Sequence, residues 1–172
     1  LIVPYKESID EEIKYLKSIS YRKQVGNGNF RSDDSYILKD DKFKKIKTFL
    51  SNSVDVFTKN VLQSKQRIVI TQCWANRNPP GSKHHEHVHP NSIISGVMHF
   101  HIDEKLPPIQ FSKERQDGMK LNAEKFNHFN SETFMLPCKA GELILFPSSL
   151  KHSVPINQGE EDRISVSFNT FC

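Results

Sequence analysis

Residues 84–90 read His-His-Glu-His-Val-His-Pro, and this stretch decides the fold that we predict for the chain. Six of the eight histidines lie between residues 84 and 101. In an extended strand, side chains two residues apart point to the same face, so His87 and His89 would lie together and His85 could join them. Two imidazoles on one strand can bind one metal ion at about 2 Å. The stretch therefore predicts a metal site rather than a chance histidine-rich loop.

A third ligand has to come from elsewhere in the chain, and His152 is the best candidate because it follows an apolar run in a loop-like segment. No cysteine lies near the histidines, which argues against a closed structural zinc site. Eleven residues after His152, Arg163 and Ser165 would share one face of a strand. A guanidinium and a hydroxyl on one face suit the carboxylate of a bound ligand. The pattern therefore predicts a metal and an anion in one site.

Apolar periodicity places two helices before a series of strands. The first helix carries a face formed by Ile9, Ile13, Leu16 and Ile19, and the second, with a longer apolar stripe, begins near Asp40 or Asp41. β-branched and aromatic runs follow, and they predict strands at Gln66–Asn76, Ser92–Ile102, Glu132–Leu136, Glu142–Phe146 and Arg163–Phe171. This order predicts an α+β domain, mainly β, in which helices back a sandwich or barrel.

The length of 172 residues suits a single domain over 1–172, with helical support over 1–65 and a β core over 66–172. Two segments interrupt the periodicity. We expect a loop over residues 26–35 and a long polar excursion over residues 112–131 that could act as a lid. No internal repeat and no second domain are expected.

Composition narrows the class of protein. The net charge is +4, from 24 basic and 20 acidic residues that are well mixed, which favours a solvated surface over a nucleic-acid partner. Three widely separated cysteines, without a CxxC pair, favour a reducing compartment. No apolar stretch reaches the roughly 20 residues that cross a bilayer. We therefore expect a cytoplasmic protein with no membrane partner, and the sequence leaves its oligomeric state open.

At this point the chain resembles a known family, the 2-oxoglutarate/Fe(II)-dependent oxygenases of marine bacteria and phages, which are related to prolyl hydroxylases. The resemblance covers roughly residues 70–171 and is specific as an ordered set, although each piece alone is weak. The matching segments are Trp74–Asn76, Pro80-Gly81, His84, His87–Ser92, Ser95–Val97, Pro137, Ala140–Leu150, His152–Val154 and Arg163–Asn169.

The resemblance implies a double-stranded β-helix, the jelly-roll or cupin-like fold, with Fe(II) and 2-oxoglutarate as cofactors and dioxygen as co-substrate. It implies that His87, His89 and His152 bind the metal, and that Arg163 and Ser165 bind the distal carboxylate of 2-oxoglutarate. The activity implied is a dioxygenase, such as a hydroxylase acting on a protein side chain or a small molecule. The sequence does not identify that substrate.

The chain departs from the wider superfamily at His89, where the usual facial triad has a carboxylate. The family that it resembles has the same H-x-H variant. Because the third ligand is neutral, the site has one negative charge fewer than a site with a carboxylate ligand. Asn76, Ser95 and His99 are polar residues that could line the pocket. His99 stands where this family commonly has an aromatic residue, and it could equally be a satisfied strand histidine.

Two other functions fit part of the pattern. A cupin-like three-histidine metalloenzyme would need no 2-oxoglutarate, but it would leave Arg163 and Ser165 without a purpose. A non-catalytic binding module could keep the metal for stability, and the same two residues argue against it. Formation of succinate separates the oxygenase from both.

Overall fold

The computed structural model describes residues 1–102, 105–113, 123–127 and 130–172. Within them the chain forms two α-helices and eleven strands. In chain order these are β1 (Ile2–Pro4), α1 (Asp10–Ser18), β2 (Tyr21–Lys23), β3 (Phe30–Ser32), α2 (Lys44–Asn60), β4 (Val69–Asn78), β5 (His84–His87), β6 (Ile94–His101), β7 (Ile109–Ser112), β8 (Thr133–Leu136), β9 (Glu142–Pro147), β10 (His152–Val154) and β11 (Arg163–Phe171).

The strands of the described ranges form two antiparallel sheets. The large sheet has the order β1-β9-β6-β11-β4-β3-β2, and the small sheet has the order β5-β10-β7-β8. The large sheet is covered by helices on one face, and an interior with its own apolar cluster lies between the two sheets. The prediction of a mainly β domain with a double-stranded β-helix and supporting helices is confirmed.

The helix α2 packs on the large sheet through the predicted apolar stripe. Its buried side chains include Ile46, Leu50, Val54 and Phe57, and all lie in the main core. A 3-10 turn, Asp41–Phe43, precedes the helix, and the Asp40 carboxylate accepts a hydrogen bond from the backbone N–H of Lys42 at 2.9 Å. Helical backbone therefore begins at Asp41 as a 3-10 turn, and the α-helix itself begins at Lys44, three residues after the later of the two predicted starts, Asp40 and Asp41.

Along β9 and β11, alternate side chains face either the helix-side core or the space between the two sheets. On β11, Ile164, Val166 and Phe168 pack in the helix-side core, whereas Arg163, Ser165 and Ser167 line a cavity between the sheets. On β9, Leu143 and Leu145 face the helices, whereas Ile144 and Phe146 lie in the second apolar cluster. A strand in the middle of a sheet thus presents one apolar face and one functional face.

Gly96 allows the central strands to pack closely. It pairs with Phe168 in the register of β6 and β11, and a Cβ atom at position 96 would lie 2.1 Å from the ring of Phe168. No side chain can be accommodated at that distance, so the aromatic ring occupies the space that a Cβ would need.

The sequence missed several short strands. β1, β2 and β3 add three strands from the first 32 residues to the large sheet, and β3 lies inside the segment predicted as a loop over 26–35, so that prediction is wrong at Phe30–Ser32. Three-residue strands are too short for alternation to be read from a sequence. Most of the excursion predicted over 112–131 lies outside the described residues. None of the described helices combines the length and the apolar character needed to span a bilayer.

Candidate metal centre

Strand pairing brings two of the predicted ligands together. His87 on β5 and His152 on β10 are direct cross-strand partners, with ring centroids 4.3 Å apart. His89 follows β5, and its ring lies 5.0 Å from each of the other two. The three can each offer a nitrogen atom, and these atoms lie within 4.8 Å of one another. In the described part of the chain, no other group of three histidine, cysteine, aspartate or glutamate side chains has this geometry.

Hydrogen bonds fix the tautomer of each imidazole. The Nδ1 atom of His87 lies 2.8 Å from the carbonyl oxygen of His85, and that of His152 lies 2.9 Å from the carbonyl oxygen of Leu150. Nδ1 of His89 contacts Oδ1 of Asn169. These oxygens can only accept, so each Nδ1 donates a proton and each Nε2 keeps a free lone pair. Hydrogen bonds of this kind, donated by the ring nitrogen that does not bind the metal, are expected around histidine ligands.

The free lone pairs face one another, which is unfavourable without a cation. Nε2 of His87 and Nε2 of His89 are 3.1 Å apart, although neither carries a hydrogen in this tautomer. Two nitrogens bound to one metal at about 2.1 Å, at right angles, would be separated by about 3.0 Å. The donor set therefore fits a divalent metal with facial coordination.

Burial keeps these imidazoles neutral. It lowers the pKa of His152 to about 3, with a further contribution from His87. It also lowers the pKa of His87 and of His89. A neutral imidazole is the form that binds a metal.

Arg163 lies at the inner end of the same cavity. Its side chain is 2% exposed, and burial lowers its pKa to about 10, so it remains charged at neutral pH. Nη1 donates to Oγ of Ser165 at 3.2 Å, and Nη2 donates to Nε2 of His99 at 2.8 Å. Since Nε2 of His99 accepts, its Nδ1 carries the proton and faces the carbonyl oxygen of Glu142 at 3.4 Å. Burial, followed by Arg163, lowers the pKa of His99 well below its usual value.

The charge of Arg163 has no acidic partner in the part of the chain that the structure describes. Among the described residues, no carboxylate lies within ion-pairing distance of its guanidinium, and its buried Nε has no hydrogen-bond partner. An uncompensated buried charge is strongly unfavourable unless a ligand neutralises it. The inner end of the cavity therefore fits an anion such as the carboxylate of 2-oxoglutarate.

One narrow cavity connects the histidines with the arginine. It is lined by His87, His89, His152, Arg163 and Ser165 among others, and its volume is about 30 Å³. This volume is small compared with the roughly 300–1,000 Å³ that is typical of ligand cavities.

The remaining predicted residues are divided between the cavity and its surroundings. Asn76 lines the cavity, and its Nδ2 donates to Oγ of Ser167 at 2.9 Å. Ser95 is buried outside the cavity lining and shares a hydrogen bond of 2.8 Å with Ser148. His85, the open alternative as a ligand, is exposed and contacts Asn27 through Nδ1 at 2.7 Å.

Two residues of the site did not emerge as functional from the sequence. His84 lines the cavity and stacks on His87, with centroids 4.6 Å apart and planes at 18°. Alternation predicts the opposite face for His84, but an irregular register between β5 and β10 turns it inward. Trp74 stacks on His89 at 5.9 Å. Its position two residues before Asn76 on the same strand was the available signal.

Comparison with known proteins gives a family and a fold. Residues 72–169 match the family described as "Putative 2OG-Fe(II) oxygenase", and this range contains all three histidines, Arg163 and Ser165. No curated protein sequence matches the chain.

Solved structures with the same fold share little sequence. HygX from Streptomyces hygroscopicus, with nickel, 2-oxoglutarate and hygromycin B bound, is 12% identical at a TM-score of 0.69, covering 99% of this chain and 81% of that one. The epimerase SnoN from nogalamycin biosynthesis is 11% identical at a TM-score of 0.73, covering 99% and 77%. A prolyl-4-hydroxylase from Pseudomonas putida is 12% identical at a TM-score of 0.62, covering 94% and 83%. At such identities the likeness establishes the fold.

Proposed function

The chain belongs to the 2OG-Fe(II) oxygenase family, and from this premise we propose that it holds Fe(II) on His87, His89 and His152 and hydroxylates a small molecule or a protein side chain. It is a 2-oxoglutarate-dependent Fe(II) oxygenase. The observation that carries the ligand assignment is the 3.1 Å separation of Nε2 of His87 and Nε2 of His89, because the hydrogen bonds of the two Nδ1 atoms leave both Nε2 atoms with free lone pairs.

Each residue of the site has one task in this proposal. When bound, Fe(II) and 2-oxoglutarate supply the oxidising chemistry, in which 2-oxoglutarate is decarboxylated to succinate as dioxygen is consumed. His87, His89 and His152 would hold the metal, and the oxygens that accept their Nδ1 protons keep the rings oriented.

Arg163 and Ser165 bind the distal carboxylate. The guanidinium offers a rigid pair of donors to two oxygens, which fixes the orientation of the co-substrate as well as its affinity. His99 acts as a positioning residue, because it accepts from Nη2 and holds the plane of the fork. The surrounding apolar residues Val97 and Ile109 exclude water from this end of the cavity.

Hydroxylation is the reaction that we favour, as in the prolyl-4-hydroxylase of the same fold, although the epimerase SnoN also has this fold. The third neutral ligand, His89, takes the place of the carboxylate in the usual facial triad. With two positive charges on the metal and one on Arg163, the dianionic co-substrate supplies most of the compensating negative charge. We therefore expect metal retention to depend on 2-oxoglutarate more strongly than in a site with a carboxylate ligand.

The test is release of succinate from 2-oxoglutarate by iron-loaded protein in air, across a panel of peptides and small metabolites. We expect succinate that requires both iron and 2-oxoglutarate, and none from His152→Ala. Metal binding without 2-oxoglutarate binding or succinate would instead favour the cupin-like enzyme. Binding of both without succinate, for every member of the panel and in its absence, would favour the non-catalytic module.

A further inference from the structure

A second cavity opens outward from the candidate metal centre. This vestibule has a volume of about 280 Å³ and is lined by Gln24, Asn29, Arg31, Trp74, His87 and His89 among others. It shares Trp74, His87 and His89 with the inner cavity, so a molecule in the vestibule lies beside the histidines. Its outer wall comes from Arg31 on β3 and from Gln24 and Asn29 in the turn between β2 and β3, a region that the sequence did not connect with function.

Asn29 presents an unsatisfied amide to the vestibule. Its side chain is 0% exposed, and neither Oδ1 nor Nδ2 has a hydrogen-bond partner among the described residues. Its backbone is fixed, because its carbonyl oxygen accepts from the N–H of Gln24 at 2.8 Å. A buried amide without partners is unfavourable in a folded protein, and a polar ligand in the vestibule would satisfy it.

Arg31 adds to the same wall a positive charge that no described carboxylate neutralises. Its Cζ atom lies 4.2 Å from the centre of the Trp74 ring, and Nη2 donates to Oγ of Ser35 at 3.2 Å. The buried Nε has no partner, and no carboxylate of the described residues lies within ion-pairing distance. The lining of the vestibule contains no aspartate or glutamate. Stacking on Trp74 holds the guanidinium in place without neutralising it.

We propose that the vestibule binds the carboxylate of a small polar substrate, with Arg31 as its anion partner and Asn29 as its hydrogen-bond partner. This inference rests on the proposed function, because the substrate must lie beside the metal. A single guanidinium suits the two oxygens of a carboxylate. The volume of about 280 Å³ lies at the lower limit of ligand cavities, which favours a molecule of amino-acid size over a large one.

Trp74 provides an internal reporter of this site. It is the single tryptophan of the chain, and it lies between Arg31 on one side and the ring of His89 at 5.9 Å. A ligand that engages the guanidinium changes the environment of the indole. Its fluorescence therefore follows occupation of the vestibule without depending on turnover.

The experiment uses the full chain loaded with Zn²⁺ and saturated with 2-oxoglutarate, so that Arg163 is already occupied. Acetate is titrated against its neutral match, acetamide, at constant ionic strength set with sodium chloride. We expect a saturable change in Trp74 fluorescence with acetate and at least tenfold weaker binding of acetamide. Equal responses to the two probes, or no saturable response to acetate, would overturn the proposal.

Matched variants locate the binding. Arg31→Gln should weaken acetate binding at least tenfold, Arg31→Lys should recover part of the loss, and Asn29→Asp should weaken binding by repulsion with little change of shape. Arg22→Gln is the control. Arg22 lies opposite Arg31 in the register of β2 and β3, but it does not line the vestibule. An Arg31→Gln protein that binds acetate like the wild type would contradict the assignment.

Two further measurements distinguish a small-molecule carboxylate from a peptide carboxylate, and failure of this proposal from failure of the proposed function. Free L-amino acids are compared with their C-terminal amides, and with tripeptides that end in the same residue. Stronger binding of the free amino acids supports a small-molecule substrate, and stronger binding of the peptides would overturn that size assignment. Binding of Zn²⁺ and 2-oxoglutarate is measured before any probe is added, so failure of the proposed function is recognised separately.

Discussion

Two arginines that have no acidic partner among the described residues line the two cavities of the site, and they differ in the structure that holds them. Arg163 is 2% exposed and begins the nine-residue strand β11, which lies between β4 and β6 in the large sheet. Arg31 is half-buried on the three-residue strand β3, near the edge of the same sheet.

We relate this difference to two kinds of ligand, a co-substrate that is the same in every reaction of the family and a substrate that is specific to this chain. Arg163 is held by His99 and Ser165, both on central strands, as suits a co-substrate that never changes. Arg31 is held by the face of Trp74 and the hydroxyl of Ser35, contacts that allow other side chains to replace it. In our account, the inner arginine serves the chemistry of the family and the outer one serves the substrate of this chain.

The largest effect that we expect comes from removing a ligand of the metal. His152→Ala should weaken Fe(II) binding by more than about 100-fold, because removing a ligand should exceed the 10–100-fold loss typical of its outer-shell partners. Binding of acetate at the vestibule should change far less. Anaerobic iron titration measures the first quantity, and Trp74 fluorescence measures the second. Stoichiometric iron with unchanged affinity would show that the ligand assignment is wrong.

The next largest effect should be a loss of stability where β6 packs beside β11, the strand that carries Arg163. Gly96→Ala introduces a Cβ atom 2.1 Å from the ring of Phe168, and such overpacking typically costs about 1–3 kcal/mol, sometimes more. Urea denaturation should show the loss. Phe168→Leu should relieve part of it in the double variant, because the two residues are in contact. Strict additivity of the two single changes would contradict this packing.

A smaller effect should follow from loosening the inner arginine without removing it. His99→Phe removes the acceptor of the 2.8 Å bond from Nη2, and a hydrogen bond of this kind contributes about 1 kcal/mol. We expect 2-oxoglutarate to bind roughly 5-fold more weakly. His99→Gln, which keeps an acceptor, should recover part of the loss, whereas Fe(II) affinity should stay the same in both. Equal losses in the two variants would indicate a packing role only.

The smallest effect that we expect is a near absence of change in 2-oxoglutarate binding. Arg31→Gln should leave the dissociation constant of 2-oxoglutarate within about 2-fold of the wild type, because a partly solvated charge outside the inner cavity contributes little there. Titration of the anaerobic iron-loaded protein measures this. A loss comparable with that expected at Arg163 would mean that the two arginines share one ligand, and the comparison would fail.

The sequence was informative about the inner site and silent about the outer one, for a physical reason. Arg163 and Ser165 lie on a long strand, where period-two alternation reveals a shared face before the structure is known. The proximity of His87, His89 and His152 was also predictable, since their order and spacing resemble those of the family. His84 was missed because an irregular register reverses its face, which no alternation rule anticipates.

The outer wall could not be derived in the same way. β3 has three residues inside a segment of glycine, asparagine and serine, which is typical of a loop. Arg31 meets Trp74 only because β3 pairs with β4, a contact between residues 43 positions apart in the sequence. Short strands of this kind, near the edge of a sheet, are fixed by tertiary packing rather than by local preference.

The central claim, that the inner cavity holds 2-oxoglutarate between the metal and Arg163, is tested most directly by one titration. 2-Oxoglutarate is added to anaerobic Fe(II)-loaded wild type and Arg163→Ala, and the visible metal-to-ligand absorption band is followed. A charge-assisted contact contributes about 1.5–3 kcal/mol, so we predict roughly 10- to 150-fold weaker binding in the variant, with partial recovery in Arg163→Lys. An unchanged dissociation constant in Arg163→Ala would contradict the account.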